Sequence, residues 1–213
     1  MSPLFLYKEY IMNKQYHFVG IGGIGMSGIA SILKKQGHTV SGCDTNLQQK
    51  SIALLQKEGC SIFQGDTKKA CSCSTYDVLI YTTAVSADHP ERMFAQKNNI
   101  PCLHRSELLA QLMHKKQSIA VAGSHGKTTT SSMLSHILIE AQTDPTLVIG
   151  GHLHSIESNA RYGTGNSFII EADESDKSLL NFSPTYSVIT NIDLEHLETY
   201  KDLDDVIQTF KTF

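Results

Sequence analysis

Two glycine-rich turns organise this sequence, and each directly follows a short apolar run and directly precedes a helix-like pattern. The first turn covers residues 20–28, after the run Tyr-His-Phe-Val, and the second covers residues 123–130, after residues 117–122. A strand, a glycine turn and a helix in that order open a βαβ unit, in which N–H groups at the helix N-terminus can bind phosphate. Two such units in 213 residues favour an α/β fold with parallel sheets.

The first turn fits the pattern G-x-G-x-x-G through Gly20, Gly22 and Gly25. The first glycine permits a tight turn, the second lets the backbone approach a diphosphate, and the third lets helix and strand pack closely. Asp44 ends the next predicted strand, where such folds place an acidic residue for a ribose hydroxyl. From the residues alone, the ligand is either NAD or the pyrophosphate of a UDP-sugar.

Further strands and helices alternate through the first half of the chain. The apolar patterns predict helices over 47–58, 90–98 and 106–114 and strands over 61–63, 76–81 and 100–103. We therefore predict a Rossmann-like domain over residues 16–110, after an N-terminal extension over residues 1–15. Met12 lies just before the first strand and is a possible initiator. Over residues 111–213 we predict a second, incomplete P-loop ATPase-type α/β domain.

The second turn reads Gly-Lys-Thr-Thr at the start of a helix, directly after a predicted strand. This order is typical of a phosphate-binding P-loop, in which Lys127 reaches the β- and γ-phosphates and the Thr128 hydroxyl ligates Mg²⁺. The usual Walker spacing needs glycine at position 121, where this chain has Val121, so the match is to a shorter variant. The candidate ATP-binding residues are Gly123, Ser124, His125, Gly126, Lys127, Thr128 and Thr129.

Carboxylates follow the predicted strand 167–171. Glu171 ends that strand beside the P-loop segment, where Walker-type sites hold Mg²⁺, and we interpret it as functional. Glu174 and Asp176 continue the acidic run and fit a solvated loop as well as a site. His196 comes just after the strand 186–191, in the half of the chain that carries the P-loop.

Composition excludes several classes of function. The net charge is −3, which weakens the hypothesis of a basic surface that binds nucleic acid. No apolar run reaches the roughly 18 residues of a membrane-spanning helix. The N-terminus lacks the pattern of a signal peptide. Five scattered cysteines suit free thiols in a reducing compartment, and Cys71-Ser-Cys73 has no second pair to complete a structural zinc site. We predict a cytoplasmic chain without nucleic-acid or membrane partners.

Nine ordered segments make the chain resemble the Mur ligase family from residue 16 to residue 213. They include the first glycine turn, the segments around Asp44 and over 82–91, and the P-loop with His125. They also include the acidic run from Glu171. The remaining similar segments are Arg105-Ser-Glu-Leu-Leu-Ala-Gln-Leu-Met, Gly150-Gly151, Asn159-Ala-Arg161 and Thr190-Asn-Ile.

The resemblance implies a UDP-sugar domain, a central ATP domain, and a C-terminal amino-acid domain that is absent here. It implies catalytic roles for Lys127, Glu171 and His196, and a Mg²⁺ site at Thr128, Glu171 and His196. Glu195 replaces the aspartate that family members usually carry before this histidine. On the UDP-sugar side, the resemblance implies Gly22, Gly23, Ile24, Gly25, Asp44, Asn159 and Arg161.

The implied reaction serves peptidoglycan precursor synthesis, in a monomer or weak homodimer. ATP phosphorylates the lactyl carboxylate of UDP-N-acetylmuramate, and the amine of L-alanine attacks the acyl phosphate. Because family members are about twice as long, we expect these 213 residues alone not to ligate. The alternatives are a tripeptide ligase of cell-wall recycling, a non-catalytic UDP-sugar and ATP module, and an NAD oxidoreductase. The Gly-Lys-Thr turn counts against the last.

Overall fold

The computed structural model describes residues 14–65, 69–71 and 75–213. These residues form two compact units, with the division between Gln111 and Leu112. The expected extension over 1–15 lies outside the described residues up to residue 13, as does Met12, and its last residue, Gln15, begins the first strand.

The first unit is a five-stranded parallel sheet in the order β3-β2-β1-β4-β5. Its elements are β1 (Gln15–Val19), α1 (Ile24–Lys35), β2 (Thr39–Asp44), α2 (Lys50–Lys57), β3 (Ser61–Gln64), β4 (Val78–Tyr81), α3 (Pro90–Lys97), β5 (Cys102–His104) and α4 (Arg105–Met113). The strand order reverses beside β1, and α/β sheets bind ligands outside the carboxyl ends of their strands at such a point. The first glycine turn leaves β1 there.

Burial explains why β1 occupies the centre of this sheet. Tyr16, Phe18 and Val19 are all buried, as expected for a parallel strand that is covered on both faces. In α1, Ile29, Ile32 and Leu33 are fully buried, so the helix presents one apolar side to the unit's core. The helix thereby fixes the glycine turn that connects it to β1.

The second unit is a mixed five-stranded sheet in the order β10-β6-β9-β7-β8. Its elements are β6 (Gln117–Ala122), α5 (Lys127–Glu140), β7 (Thr146–Leu153), β8 (Ser158–Arg161), β9 (Ser167–Glu171), β10 (Tyr186–Ile189) and α6 (Leu203–Thr212), with 3-10 turns at His154–Ile156 and Ser178–Asn181. Four strands are parallel, and β8 pairs antiparallel with β7 at the edge. The predicted α/β class with parallel sheets is confirmed.

In the part of the chain that the structure describes, no helix has the length and apolar character needed to cross a bilayer. Cys43, Cys60, Cys71 and Cys102 are free thiols, whereas Cys73 lies outside the described residues. A hydrogen bond with Cys71, together with burial, raises the pKa of the Cys43 thiol above its ordinary value.

Candidate nucleotide sites

The second glycine turn leads from β6 directly into α5. Gly126 caps the helix in the left-handed conformation, with φ 81°, and it supplies no side-chain cap. The first turn of α5 also contains no acidic residue. Because helix N-terminal N–H groups carry partial positive charge, this end of α5 is suited to bind an anion.

Lys127 is the first residue of α5, and its side chain extends back to the preceding glycine turn. Its Nζ donates to the carbonyl oxygens of Gly123 and Ser124, at 2.6 and 3.3 Å. The same ammonium contacts both carboxylate oxygens of Glu174, at 2.7 and 2.8 Å. Only 3% of the Glu174 side chain is exposed, so the pair is held away from water, where removing one partner leaves an uncompensated charge.

Glu171 anchors the other side of the turn from the end of β9. Its carboxylate accepts hydrogen bonds from Thr128 Oγ1 at 3.0 Å and from Ser131 Oγ at 2.7 Å. A Cβ at Gly150 would lie 2.5 Å from Glu171 Oε2, and one at Gly151 would lie 2.6 Å from Thr128 Cγ2. The two glycines of β7 therefore let the Thr128–Glu171 pair form against the neighbouring strand.

His196 lies beside Glu174 rather than within the Thr128–Glu171 pair. Its Nε2 is 3.7 Å from Glu174 Oε1, and its backbone adopts a positive φ of 53°. Donor atoms of Glu174, Glu195 and His196 all lie within 4.8 Å of one another, a group suited to hold a metal ion. The structure thus divides the predicted metal ligands between two neighbouring sets, and it adds Glu174 and Glu195 to them.

Residues that follow β10 hold the second glycine turn through hydrogen bonds. The His125 N–H donates to Asn191 Oδ1, and Asn191 Nδ2 donates to the His125 carbonyl. The Ser124 hydroxyl and the Asp193 backbone N–H are also hydrogen-bonded, at 2.8 Å. The His125 ring is exposed near Asp193 and Glu195. These contacts fix the turn, while Thr129 is exposed on α5.

The first glycine turn is closed by Asp44. Its Oδ2 accepts from the Gly22 N–H at 2.9 Å, and its Oδ1 accepts from Asn46 N and Gln49 Nε2. A Cβ at Gly22 would lie 2.9 Å from the same carboxylate, so glycine permits this approach. Asp44 is therefore buried at the end of β2 with a hydrogen bond to the turn itself, and its contact with a ribose hydroxyl stays a prediction.

Arg105 is a further candidate binding residue, for which the sequence pattern alone indicated no role. Its Nη1 lies 3.3 Å from the position that a Cβ at Gly25 would occupy, in the first turn of α1. Gly23 caps α1 without a side-chain hydrogen bond, and no acidic residue follows in the first turn. The Arg105 guanidinium therefore lies next to the positive N-terminal end of α1. Ile24, the first residue of that helix, is 61% exposed, so a ligand can reach this end.

Asn159 and Arg161 lie on β8, at the far edge of the second sheet from β6. Arg161 pairs with Asp144 in the loop before β7, and Asn159 Nδ2 contacts the Ile149 carbonyl at 3.5 Å. Hydrogen bonds from the Thr164 backbone N–H and hydroxyl hold the pKa of Asp144 below its ordinary value. The structure does not bring Arg161 to the P-loop turn, and the substrate roles of both residues stay predictions.

Each of the two units matches a domain of a known protein family, and the two domains occur in the same order. The model for the Mur ligase family, catalytic domain, matches residues 15–117, and the model for the Mur ligase middle domain matches residues 121–213. This chain belongs to the Mur ligase family. The predicted resemblance is confirmed.

Curated relatives of this Mur ligase chain share close to half of the aligned residues. The UDP-N-acetylmuramate–L-alanine ligase of Syntrophus aciditrophicus is 48% identical over 94% of this chain and 41% of its own length. The enzyme of the same name from Aquifex aeolicus is 46% identical over 94% of this chain and 43% of its own length. The chain thus spans less than half the length of these relatives.

Solved Mur ligase structures show the same fold. The UDP-N-acetylmuramate-alanine ligase MurC of Thermotoga maritima superposes with a TM-score of 0.85 and 34% identity, over 94% of this chain and 46% of that protein. A UDP-N-acetylmuramate:L-alanyl-gamma-D-glutamyl-meso-diaminopimelate ligase of Neisseria meningitides gives 0.82 and 27% identity, over 94% of this chain and 67% of that protein.

Proposed function

We propose that this chain is the UDP-sugar- and ATP-binding portion of a UDP-N-acetylmuramate–L-alanine ligase. The observation that carries the proposal is Lys127, which lies between two carbonyls of the P-loop turn and the carboxylate of Glu174. The ammonium of Lys127, next to the N-terminal end of α5, is suited to bind the γ-phosphate of ATP. The names of the relatives supply the substrates, UDP-N-acetylmuramate and L-alanine.

In the proposed ATP site, backbone N–H groups of residues 123–128 bind the phosphates, and Lys127 exchanges Glu174 for the γ-phosphate. Thr128 and Glu171 offer hard oxygen donors of the kind that Mg²⁺ prefers. Glu174, Glu195 and His196 offer a second donor set close by, with His196 as its nitrogen ligand. When bound, Mg²⁺ supplies charge neutralisation on the phosphate oxygens.

The proposed reaction has two steps. The substrate carboxylate attacks the γ-phosphorus, the bond to the β-phosphate oxygen breaks, and ADP leaves. The alanine amine then attacks the acyl carbon of the acyl phosphate, inorganic phosphate leaves, and the amine loses a proton as the amide forms. In the first step Lys127 offsets the repulsion between the two anions and stabilises the charge on the transferred group.

In the first unit, we assign the UDP diphosphate to the turn of Gly22, Gly23 and Gly25 and the N-terminus of α1 at Ile24. Arg105 faces that helix end and can donate to phosphate in a bidentate manner. Asp44 holds the turn in shape through the Gly22 N–H. Because ATP is the proposed phosphoryl donor, we place the reaction in the cytoplasm, in a monomer or weak homodimer.

A tripeptide ligase of cell-wall recycling is the second candidate, since the Neisseria meningitides structure superposes almost as well. The solved structures favour alanine, because the Thermotoga maritima alanine ligase is 34% identical to this chain and the Neisseria meningitides enzyme is 27% identical. Both candidates require the same two nucleotide sites in this chain.

Calorimetric titration of the chain with MgATP and, separately, with UDP-N-acetylmuramate tests the proposal. We expect one site for each ligand, and no binding of NADH. Lys127→Ala should weaken MgATP binding, whereas the matched variant Lys116→Ala should not. Lys116 donates to the Gly165 carbonyl and precedes β6, at the opposite end of the strand from the turn. NADH binding without UDP-sugar binding would overturn the assignment of the first unit.

A further inference from the structure

Four metal-ligating side chains meet inside the first unit, and one of them, Cys43, also accepts hydrogen bonds at its carbonyl from Gly20 and Ile21 of the first glycine turn. They come from β1, β2, the segment before β4 and α3, and their donor atoms all lie within 4.8 Å of one another. We call this group the buried ligand cluster: His17, Cys43, Cys71 and Glu91. We propose that the buried ligand cluster is a Zn²⁺ site, and this inference is independent of the proposed ligase function.

Two ligand-to-ligand distances in the cluster match those of a tetrahedral zinc site, and all of them lie within 4.8 Å. With metal–ligand bonds of roughly 2.0–2.3 Å, neighbouring ligand atoms in a tetrahedron lie roughly 3.3–3.8 Å apart. Cys71 Sγ is 3.4 Å from His17 Nε2, and Cys43 Sγ is 3.7 Å from Glu91 Oε1. Two thiolates, one imidazole and one carboxylate are ligand types that zinc takes.

The histidine is oriented for ligation through Nε2. Ser41 Oγ lies 2.8 Å from His17 Nδ1 and can donate to the Tyr16 carbonyl at 3.3 Å, which favours the tautomer with the proton on Nδ1. The Nε2 atom, which faces Cys71, then carries the lone pair. Metal-ligating histidines usually have such a partner on their second nitrogen, because it fixes the tautomer and the ring plane.

Glu91 gives an independent indication of a missing ligand. The residue is 1% exposed, and its Oε2 is buried without a hydrogen-bond partner among the described residues. Its other oxygen accepts from the Cys71 backbone N–H. A buried carboxylate oxygen without a partner is costly, and a cation that the carboxylate binds through both oxygens would satisfy Oε2.

The cluster would serve as a structural site. Four protein ligands complete a tetrahedron and leave no open position for a substrate. Binding displaces the thiol protons of Cys43 and Cys71, which pass to solvent, and the metal then joins the segment before β4 to the sheet. Cys43 directly precedes Asp44, which holds the first glycine turn, so the site stabilises the strand end behind that turn.

The test uses the full chain, reduced and treated with a chelator, and then titrated with Zn²⁺ and with Co²⁺. We expect one tight equivalent of zinc with proton release, and a Co²⁺ spectrum with thiolate charge transfer and intense tetrahedral bands. X-ray absorption of the zinc form should show two sulfur ligands. Cys43→Ser should lower zinc affinity by more than about 10²-fold, and Ser41→Ala by roughly 10–100-fold.

The matched controls are Cys60→Ser and Cys102→Ser, because both are free thiols outside the cluster, and they should bind zinc normally. Unchanged zinc affinity in Cys43→Ser, or absorption data without two sulfur ligands, would overturn the proposal whether or not the variant is fully folded. A Cys43–Cys71 disulfide in protein purified without reductant, with no zinc binding after reduction, would also overturn it and indicate a redox pair.

Discussion

The two glycine turns share one backbone design and differ in the charges placed around it. The turn after β1 contains no charged side chain, and its nearest carboxylate, Asp44, bonds to the turn's own N–H. The turn after β6 ends in Lys127, with Glu171 and Glu174 in hydrogen-bond contact with its helix. N–H groups at a helix end can hold a diphosphate, whereas transfer of a phosphoryl group also requires positive charge placed to stabilise the transition state. This difference in charge distinguishes the turn after β1, proposed to bind the UDP diphosphate, from the turn after β6, proposed to take part in phosphoryl transfer.

The largest expected effect concerns the backbone of the second turn. Gly123 has φ 127°, and a Cβ there would lie within clashing distance of Thr190 Oγ1. Gly123→Ala should lower the free energy of unfolding of the second unit by roughly 2–5 kcal/mol, from strain and overpacking together. Hydrogen exchange of β6 and β9 amides in denaturant measures this effect.

The matched control is Gly126→Ala, because Gly126 has a positive φ but open space around a Cβ. It should cost only about 1–2 kcal/mol. Equal losses for the two variants would show that the Thr190 contact does not constrain the turn.

The next effect tests whether the two turns act separately. Lys127→Ala removes one charge-assisted contact to phosphate, so MgATP affinity should fall roughly 10–100-fold while UDP-N-acetylmuramate affinity stays unchanged. Calorimetry on the folded variant measures both constants. A loss of UDP-sugar binding of the same size would contradict the division of ligands between the turns.

Arg105→Ala is the reciprocal experiment on the first turn. Loss of its guanidinium near α1 should weaken UDP-N-acetylmuramate binding roughly 10-fold and leave MgATP binding unchanged. Arg92→Ala serves as the control, because Arg92 is engaged with the Val85 carbonyl and the Tyr81 ring in the same unit. Normal UDP-sugar affinity in Arg105→Ala would remove Arg105 from the site.

The smallest and most diagnostic effect involves Glu174. In Glu174→Gln the competing negative charge on Lys127 is lost, so ATP measured in the presence of EDTA should bind a few-fold tighter. If the Glu174 set holds Mg²⁺, MgATP should bind more weakly in the same variant. Tighter binding under both conditions would show that Glu174 only neutralises Lys127 and is not a metal ligand.

Most strands and helices could be predicted because each apolar run is bounded by a glycine or a polar turn. The predicted helix over 90–98 forms from Pro90 to Lys97, and the strand over 117–122 forms over the same residues. The hairpin of β7 and β8 was not predicted, since Gly150 and Gly151 interrupt its apolar pattern. Those glycines are explained only by the approach of Thr128 and Glu171, which the sequence does not display.

The candidate site was predictable in its phosphate-binding part and not in its charge pairing. The order strand, turn and Gly-Lys-Thr indicated the position of Lys127 directly. Glu174 fitted a solvated acidic loop equally well, because its burial depends on Lys127 and on the distant segment around Tyr200, whose hydroxyl donates to the Glu174 carbonyl. Asp44 lies at the predicted position, but its hydrogen bond to Gly22 depends on the folded turn.

Hydrogen exchange of the wild-type chain, with each nucleotide added alone and then both together, tests the central claim most directly. UDP-N-acetylmuramate should protect amides of residues 20–28 and the start of α4, and MgATP should protect residues 123–130. The two patterns should be additive. Protection of both turns by one nucleotide, or protection of the first turn by NADH but not by the UDP-sugar, would contradict the account.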